Sequence, residues 1–213
     1  MKEEEIPVEN QGVVIVGAGV AGLTAALAAV EAGAKTLVVE KAPDISDTNT
    51  SRSGGAIAFA KEKEMHPEAE RLTTQQLVDE ARKLSRGHCL PELVKTWREN
   101  IDDTLQWLQK AGLRVSTETG FDLGGSSVRT LGGGAGLNKQ LLAMAQKAGV
   151  NVLFSTRAEK LLRDNRGKAV GIRALTSEGL KDFMASGVVL ATAGFQANQE
   201  MLMKYHGADF AYG

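Results

Sequence analysis

The sequence is poor in cysteine, histidine and net charge, and each shortage excludes a class of protein. Cys89 is the single cysteine among 213 residues, so the chain cannot form an internal disulfide, and this usage fits a reducing compartment. The formal net charge of −1 gives no reason to expect nucleic acid or an anionic membrane surface as a partner. The segment from Met1 to Gln11 is acidic and lacks the apolar core of a secretory signal. The expected compartment is therefore the cytoplasm.

The three histidines, His66, His88 and His206, show no spacing with cysteine or carboxylate residues that is typical of a metal site. No metal is therefore predicted. The stretch from Gly12 to Ala29 carries no charge, but it reads as a short strand and a glycine-rich turn, so we expect no membrane span. The composition, with 43% hydrophobic residues, is that of an ordinary globular chain of one or two domains.

A glycine motif between two apolar strands is the most informative feature of the chain. A buried strand ends at Gly17, a helix follows, and a second strand ends at Glu40. Gly17 permits the tight turn, Gly19 lets the backbone approach a pyrophosphate, and Gly22 lets the helix pack closely on the sheet. The first turn of that helix offers free N–H groups to phosphates, and Glu40 can accept hydrogen bonds from an adenosine ribose. This order predicts dinucleotide binding.

The motif leaves alternatives open. It does not by itself separate FAD from NAD, although Glu40 disfavours NADP because it would repel the 2′-phosphate. The alternative to dinucleotide binding is a purely structural strand–helix–strand unit with a tight turn and no ligand.

Local signals divide the rest of the chain. A capping box formed by Thr73 and Gln76 opens a helix that ends at Gly87, and a second helix begins at Pro91 and ends at Gly112. We expect a glycine-rich loop over 120–136 and a helix over 137–147. Two strands, 157–164 and 169–176, flank a hairpin turn, and residues 187–191 are predicted to form a strand at the centre of a sheet.

Four segments resemble the FAD-binding part of the fumarate reductase/succinate dehydrogenase flavoprotein family, which also includes ketosteroid and tricarballylate dehydrogenases. They are, in order, Gly17 to Gly22 with Glu40-Lys41, Asn49 to Ile57, Gly132 to Leu137, and Val188 to Phe195. The segment from Cys89 to Leu108 is also similar to a helical insertion of that family. Any one segment is a weak signal, but their order and spacing together are specific.

The resemblance implies an α/β fold: a Rossmann-like FAD-binding domain with a central parallel sheet, a helical insertion and a small antiparallel β element. It implies that Thr50 and Ser53 offer hydroxyl donors near the pyrophosphate and flavin, and that the Ala158 backbone bonds the adenine. The candidate FAD-binding residues are Gly17, Gly19, Val20, Ala21, Gly22, Glu40, Lys41, Asn49, Thr50, Ser53, Gly54, Gly55, Ala158, Ala191, Thr192, Ala193 and Gly194.

Two positions depart from the family pattern. Some members attach FAD covalently through a histidine where this chain has Asn49, which cannot form that bond, so noncovalent FAD is expected. Ala193 replaces a commoner glycine. The function implied is hydride transfer between FAD and a C–C bond of a small-molecule substrate. A noncatalytic FAD-binding fragment and an NAD-binding Rossmann domain are the alternatives.

Family members are usually longer, and their additional capping domain carries an arginine proton donor. We therefore expect a single FAD-binding domain over 1–213 that resembles the N-terminal portion of such an enzyme. It divides into a βαβ unit with a flavin loop (1–60), a mainly helical insertion (61–125) and a second part of the FAD domain (126–213). No catalytic residue is assigned. The chain alone is expected to show no turnover, and a partner chain that completes the fold is possible.

Overall fold

The glycine motif forms the centre of a parallel sheet, as its sequence predicts. The computed structural model describes residues 11–58, 73–122, 125–196 and 198–207. The strands are β1 Val13–Val16, β2 Thr36–Val39, β3 Ala56–Ala58, β4 Val115–Asp122, β5 Gly125–Thr130, β6 Asn151–Leu153, β7 Arg157–Arg163, β8 Ala169–Thr176, β9 Gly179–Met184 and β10 Gly187–Leu190. The helices are α1 Val20–Glu31, α2 Thr74–Leu84, α3 Pro91–Lys110, α4 Gly133–Lys147 and α5 Gln199–His206, with a short 3₁₀ helix at Ile45–Asp47.

The parallel sheet has the strand order β10-β1-β2-β6. Because side chains of a strand alternate between the two faces of a sheet, β1 and β2 contribute apolar side chains to the core on both faces. Ile15 and Val38 pack with α1 and α4 on one face. Val14 and Leu37 pack with Ile172 of β8 on the other face. The result is a three-layer α/β domain in which the antiparallel sheet β7-β8-β9 covers the face opposite the helices.

The sequence-based expectation of a loop over 120–136 is wrong. Residues 125–130 form β5, which pairs antiparallel with β3 on one side and β4 on the other, and Gly133 begins α4. Val128 of β5 is buried against Leu105 of α3. Pairing on both sides and this packing override the low strand preference of the local glycines.

The helical signals are confirmed. The Thr73 hydroxyl accepts from the Gln76 amide, and the Gln76 side chain accepts in return from the Thr73 amide, which completes the capping box of α2. Pro91 occupies the first turn of α3, where its missing N–H costs no helical hydrogen bond. The Trp107 indole near the end of α3 donates to Glu31 at the end of α1 over 2.7 Å, which ties the helical insertion to the βαβ unit.

The predicted hairpin is confirmed as β7 and β8, but β10 does not lie at the centre of its sheet. Within the described residues β10 pairs with β1 alone. Val189 and Leu190 are accordingly exposed, Leu190 by 63%. An apolar run is typical of a central strand, yet the position of a strand in a sheet depends on its neighbours and not on its own composition.

Among the described helices, none is both long and apolar enough to span a membrane. Most of the acidic N-terminal segment, residues 1–10, and residues 59–72, which include His66, lie outside the described residues. The division of the chain into one domain with three parts stays a prediction.

Candidate functional site

The candidate site begins where three parallel strands end side by side. The Gly17 amide donates to the Val39 carbonyl over 2.8 Å, and the Ala191 amide donates to the Val16 carbonyl over 2.9 Å. Gly17 has φ of +110°, and a Cβ there would lie 2.5 Å from the Ala191 carbonyl oxygen. The turn after β1 therefore requires glycine both for its backbone conformation and for the close approach of the strand end after β10.

Gly22 brings α1 onto this turn. A Cβ on Gly22 would overlap the Gly17 carbonyl oxygen, so the helix can lie this close only without a side chain at that position. Gly19 is the N-cap of α1 and supplies no side-chain cap, while the side chains of Val20 and Ala21 are exposed. Helix geometry leaves the N–H groups of a first turn without i−4 carbonyls, so this end of α1 presents donors at the sheet edge.

Glu40 is buried directly after β2, with 8% of its surface exposed. Its Oε2 accepts from the Ala18 amide over 2.8 Å, and its Oε1 accepts from the Ala42 amide over 2.9 Å. The carboxylate therefore fixes the turn after β1 against the end of β2, a role that the motif does not reveal. Two carboxylate oxygens offer about four acceptor positions, so the two backbone contacts leave acceptor capacity for ligand hydroxyl groups.

The loop after the 3₁₀ helix connects the first turns of α1 and α4. Thr50 Oγ1 accepts from the Val20 amide over 2.9 Å, at the first residue of α1. Ser53 Oγ donates to the Thr50 carbonyl over 2.8 Å, and the Ser53 carbonyl accepts from the Gly134 amide over 3.1 Å. The Gly55 carbonyl accepts from the Thr130 amide over 3.0 Å. These bonds bring the loop from Thr50 to Gly55, which includes the exposed Gly54, beside the glycine turn.

The start of β7 lies next to Glu40. The Thr156 amide donates to the Glu40 carbonyl, and the Ser155 amide donates to the Ala42 carbonyl, both over 2.8 Å. Ala158, two residues further on, is on a strand that pairs with β8 alone in the described part of the chain, and the register shifts between Ala158 and Lys160. One backbone edge of β7 is thus open near the acidic end of β2.

The remaining predicted residues are less closely tied to the site. The side chains of Lys41 and Asn49 are exposed. Thr192, Ala193 and Gly194 continue outward from Ala191 at the sheet edge and are exposed. Ala193 adopts a φ of +56°, which lies in the left-handed region that favours glycine. This conformation explains physically why glycine is the commoner residue at this position in the family that the chain resembles.

Sequence reasoning missed Asn138 of α4. This residue is fully buried, and its Nδ2 donates to the Ala18 carbonyl over 3.1 Å and to Thr48 Oγ1 over 2.7 Å. The one signal in the sequence is a polar residue between Leu137 and Leu141 on the apolar stripe of a helix. A buried amide on such a stripe is ordinary in a core, so only the fold reveals that it reaches the glycine turn.

The titratable groups whose pKa values are shifted are not among the candidate site residues. Hydrogen bonds from Ser46 hold the pKa of Asp44 below its ordinary value, and a hydrogen bond from Arg173 does the same to the pKa of Asp182 on β9. Among the described residues no cluster of three or more His, Cys, Asp or Glu side chains is arranged to hold a metal ion. The site is thus built from backbone donors, hydroxyl groups and one buried carboxylate.

This donor and acceptor set fits a dinucleotide. Gly17 and Gly22 carry no Cβ, so the turn after β1, the strand end after β10 and α1 can approach one another closely, and the first turn of α1 presents its N–H donors at this edge. The Glu40 carboxylate and the open backbone edge of β7 lie next to each other beside this turn. The carboxyl ends of parallel strands are also where open α/β sheets bind ligands.

Comparison with known proteins agrees with this geometry. A family model described as FAD binding domain matches residues 12–212. A fumarate reductase (cytochrome) of Shewanella frigidimarina is 29% identical over 208 residues, which is 93% of this chain and 36% of that protein. A urocanate reductase of Eggerthella lenta is 32% identical over 225 residues, 96% of this chain and 36% of that protein.

A solved structure of an open flavocytochrome c3 fumarate reductase has a TM-score of 0.82 and 29% identity, and the match covers 94% of this chain and 36% of that one. The chain therefore spans about a third of the length of the relatives that it matches.

Proposed function

The chain belongs to the FAD binding domain family, and we propose that it is the FAD-binding portion of a flavoprotein oxidoreductase similar to fumarate and urocanate reductases. The observation that carries the proposal is the convergence of the glycine turn, the first turn of α1, Glu40 and the Thr50 loop at one edge of the parallel sheet. An NAD-binding Rossmann domain lacks support, because the family that matches binds FAD.

The pyrophosphate of FAD is proposed to lie over Gly17, Gly19 and Gly22, with the amides of Gly19 and Ala21 as donors. Thr50 supports this location, since its hydroxyl accepts from the Val20 amide and still has its own proton to donate. The positive end of the α1 dipole favours the negative phosphates at the same place.

The adenosine half is proposed to extend from Glu40 toward β7. The Glu40 carboxylate accepts the ribose hydroxyls, and the Ala158 backbone bonds the adenine. Support comes from the hydrogen bonds that join Glu40 and Ala42 to residues 155–156, because they bring the start of β7 beside that carboxylate.

The flavin half is proposed to lie along the loop from Ser53 to Gly55 and the strand end from Ala191 to Gly194, with Lys41 and Asn49 near the cofactor. FAD is held noncovalently, since Asn49 stands where the resembling enzymes with covalent flavin have a histidine. Bound FAD supplies hydride transfer. The residues of this chain bind it, orient it and hold its phosphates.

Fumarate and urocanate are both unsaturated carboxylates. The names of these relatives therefore favour a small substrate with an activated C–C double bond, which the complete enzyme would reduce or form. A noncatalytic FAD-binding domain is the second candidate. It is supported by the coverage, because the chain spans about a third of the length of these relatives.

The cofactor assignment is tested by titrating the purified chain with FAD, FMN and NAD⁺ and following flavin fluorescence or heat. FAD is expected to bind most tightly, because FMN lacks the adenosine that Glu40 and β7 would hold. Equal affinity for FAD and FMN, or tighter binding of NAD⁺, contradicts the proposed placement.

The pyrophosphate location is tested by Thr50→Val, which keeps the side-chain shape and removes the hydroxyl. Loss of a hydrogen bond worth about 0.5–1.5 kcal/mol predicts FAD binding weaker by roughly two- to tenfold. Thr176→Val is the matched control, since the Thr176 hydroxyl caps the distant turn between β8 and β9. Unchanged affinity in Thr50→Val contradicts the proposed location of the pyrophosphate.

The redox assignment is tested on the FAD-loaded chain with a reduced dye. Reduction bleaches the oxidised flavin absorption, and fumarate or urocanate added afterwards restores it if the chain holds the groups that handle substrate. Restoration no faster than with free FAD favours the noncatalytic FAD-binding domain.

A further inference from the structure

Asn138 links the two segments that the proposed FAD site requires. Its amide lies on α4, has no solvent exposure and contacts segments that are 90 and 120 residues away in sequence. One contact is with the Ala18 carbonyl in the glycine turn, and the other is with Thr48 Oγ1 at the entry to the Thr50 loop. A single buried side chain therefore holds the glycine turn and the Thr50 loop together.

The Ala18 backbone is held on both of its polar groups. Its N–H donates to Glu40 Oε2 over 2.8 Å, and its carbonyl accepts from Asn138 Nδ2 over 3.1 Å. Both partners are buried and come from different parts of the chain, Glu40 from the residue directly after β2 and Asn138 from α4. Glu40 therefore holds the peptide between Gly17 and Ala18, and Asn138 holds the peptide between Ala18 and Gly19, both from outside the turn.

The orientation of the peptide between Ala18 and Gly19 matters because the carbonyl and the N–H of a trans peptide point in opposite directions. With the Ala18 carbonyl turned toward Asn138, the Gly19 N–H points away from α4. The Gly19 carbonyl meanwhile accepts from the Leu23 amide and so starts the hydrogen bonding of α1.

We propose that Asn138 is a positioning residue of the FAD site. Its side chain orients the Gly19 N–H toward the pyrophosphate and holds the Thr50 loop beside the glycine turn. The inference rests on the proposed location of the pyrophosphate at the first turn of α1.

The chemistry of the amide explains why the position is asparagine. The Ala18 carbonyl is only an acceptor, so the side chain must present its NH₂ group to it, and the same group also serves Thr48. Asn138 Oδ1 is buried and has no hydrogen-bond partner among the described residues. An apolar residue would avoid that unpaired atom, but it could not hold the turn. Aspartate has the same shape, but its ionised carboxylate cannot donate, and its protonated form has one proton for two acceptors.

The test compares Asn138→Asp with Leu141→Ala in the purified chain. Leu141 is equally buried and lies one helical turn further along the same face of α4, but its side chain is apolar and holds no backbone group of the turn. Asn138→Asp is expected to weaken FAD binding by about tenfold or more, because a carboxylate faces the Ala18 carbonyl. Leu141→Ala is expected to lower the thermal midpoint with little change in FAD affinity.

A second measurement needs no cofactor. In ¹⁵N spectra of the FAD-free chain, Asn138→Asp is expected to shift the Ala18 and Gly19 amide resonances well beyond their shifts in Leu141→Ala. Thr48→Val, which removes one partner of Asn138 and keeps the core residue, is expected to weaken FAD binding by about threefold and serves if the aspartate variant does not fold.

Two failures are distinguishable. If Thr50→Val leaves FAD affinity unchanged, the proposed pyrophosphate location is wrong. If Thr50→Val weakens binding while Asn138→Asp or Thr48→Val affects it no more than Leu141→Ala does, and the Gly19 resonance does not move, the location stands and the role of Asn138 is refuted.

Discussion

Replacing Glu40 with glutamine tests whether this carboxylate serves the cofactor as well as the fold. The two Glu40 oxygens accept from the Ala18 and Ala42 amides over 2.8 and 2.9 Å, in a residue that is 8% exposed. Glutamine keeps the shape but has one acceptor oxygen, so its NH₂ group must face one of those two N–H donors. An unsatisfied buried donor costs about 1–3 kcal/mol, so the free energy of unfolding is expected to fall by about that amount.

The effect on the cofactor is separate. A hydrogen bond from a ribose hydroxyl to a charged acceptor is worth about 1.5–3 kcal/mol, so Glu40→Gln is expected to weaken FAD binding by roughly ten- to a hundredfold. Glu40→Ala removes both acceptor oxygens and is expected to weaken it at least as much. The assay is a flavin fluorescence titration at a temperature where each variant is folded.

An FAD analogue without the ribose 2′-hydroxyl separates a direct contact from a displaced turn. If Glu40 bonds that hydroxyl, the analogue binds wild type more weakly than FAD does, but it binds Glu40→Gln about as well as FAD does. Thr36→Val is the matched control, because Thr36 is a buried, hydrogen-bonded residue at the opposite end of β2. An unchanged FAD affinity in Glu40→Gln, or an equal penalty for the analogue in both proteins, refutes the ribose contact.

Three further outcomes are expected. Acid precipitation should release the flavin into the supernatant, because Asn49 cannot form a covalent bond to it; flavin in the washed pellet contradicts this. Ala193→Gly should raise the free energy of unfolding in denaturant by up to about 1 kcal/mol, because a left-handed φ is costly for alanine. Part of this gain is lost because glycine also gives the unfolded chain more conformational entropy. A gain of the same size in Ala191→Gly would point to another cause. Asp182→Asn should lower the thermal midpoint slightly near neutral pH, because the Arg173 hydrogen bond lowers the pKa of Asp182 in the folded state. That stabilisation is complete above the unfolded pKa of about 4 and is lost as pH falls through the lowered value, so the two proteins should converge in acid and in high salt; a difference that persists there contradicts an ionic origin.

The elements that sequence predicts correctly depend on short-range chemistry. Thr73 and Gln76 cap α2 from three residues apart, and Pro91 acts within the first turn of its own helix. The glycine turn is also local, because strand, turn and helix follow one another without interruption from Val13 to Glu31. Such signals can be read from a single sequence, since both partners lie within one turn or one strand.

The resemblance of four ordered segments predicts more than local patterns do, because it brings in the family's fold. It places the loop from Asn49 and the strand end at Ala191 with the glycine turn, and the structure joins Gly17 to Ala191 and Val20 to Thr50. The resemblance cannot say which hydrogen bonds make these approaches possible. It also leaves Lys41 and Asn49 as residues whose exposed side chains the fold does not tie to the turn.

The sequence by itself determined that a dinucleotide motif opens the chain, because a tight turn, a close helix and an acidic strand end each demand a particular residue at a particular spacing. Only the tertiary structure decided that 125–130 is a strand, that β10 pairs with β1 alone among the described residues, and that Glu40 and Asn138 hold the two polar groups of Ala18. The last contact spans 120 residues. The periodicity of a helix shows that a position is buried, but it does not show which distant segment packs against that position. A buried asparagine and a buried leucine can therefore stand at equivalent positions of the sequence pattern, and only the fold shows which contacts each of them makes.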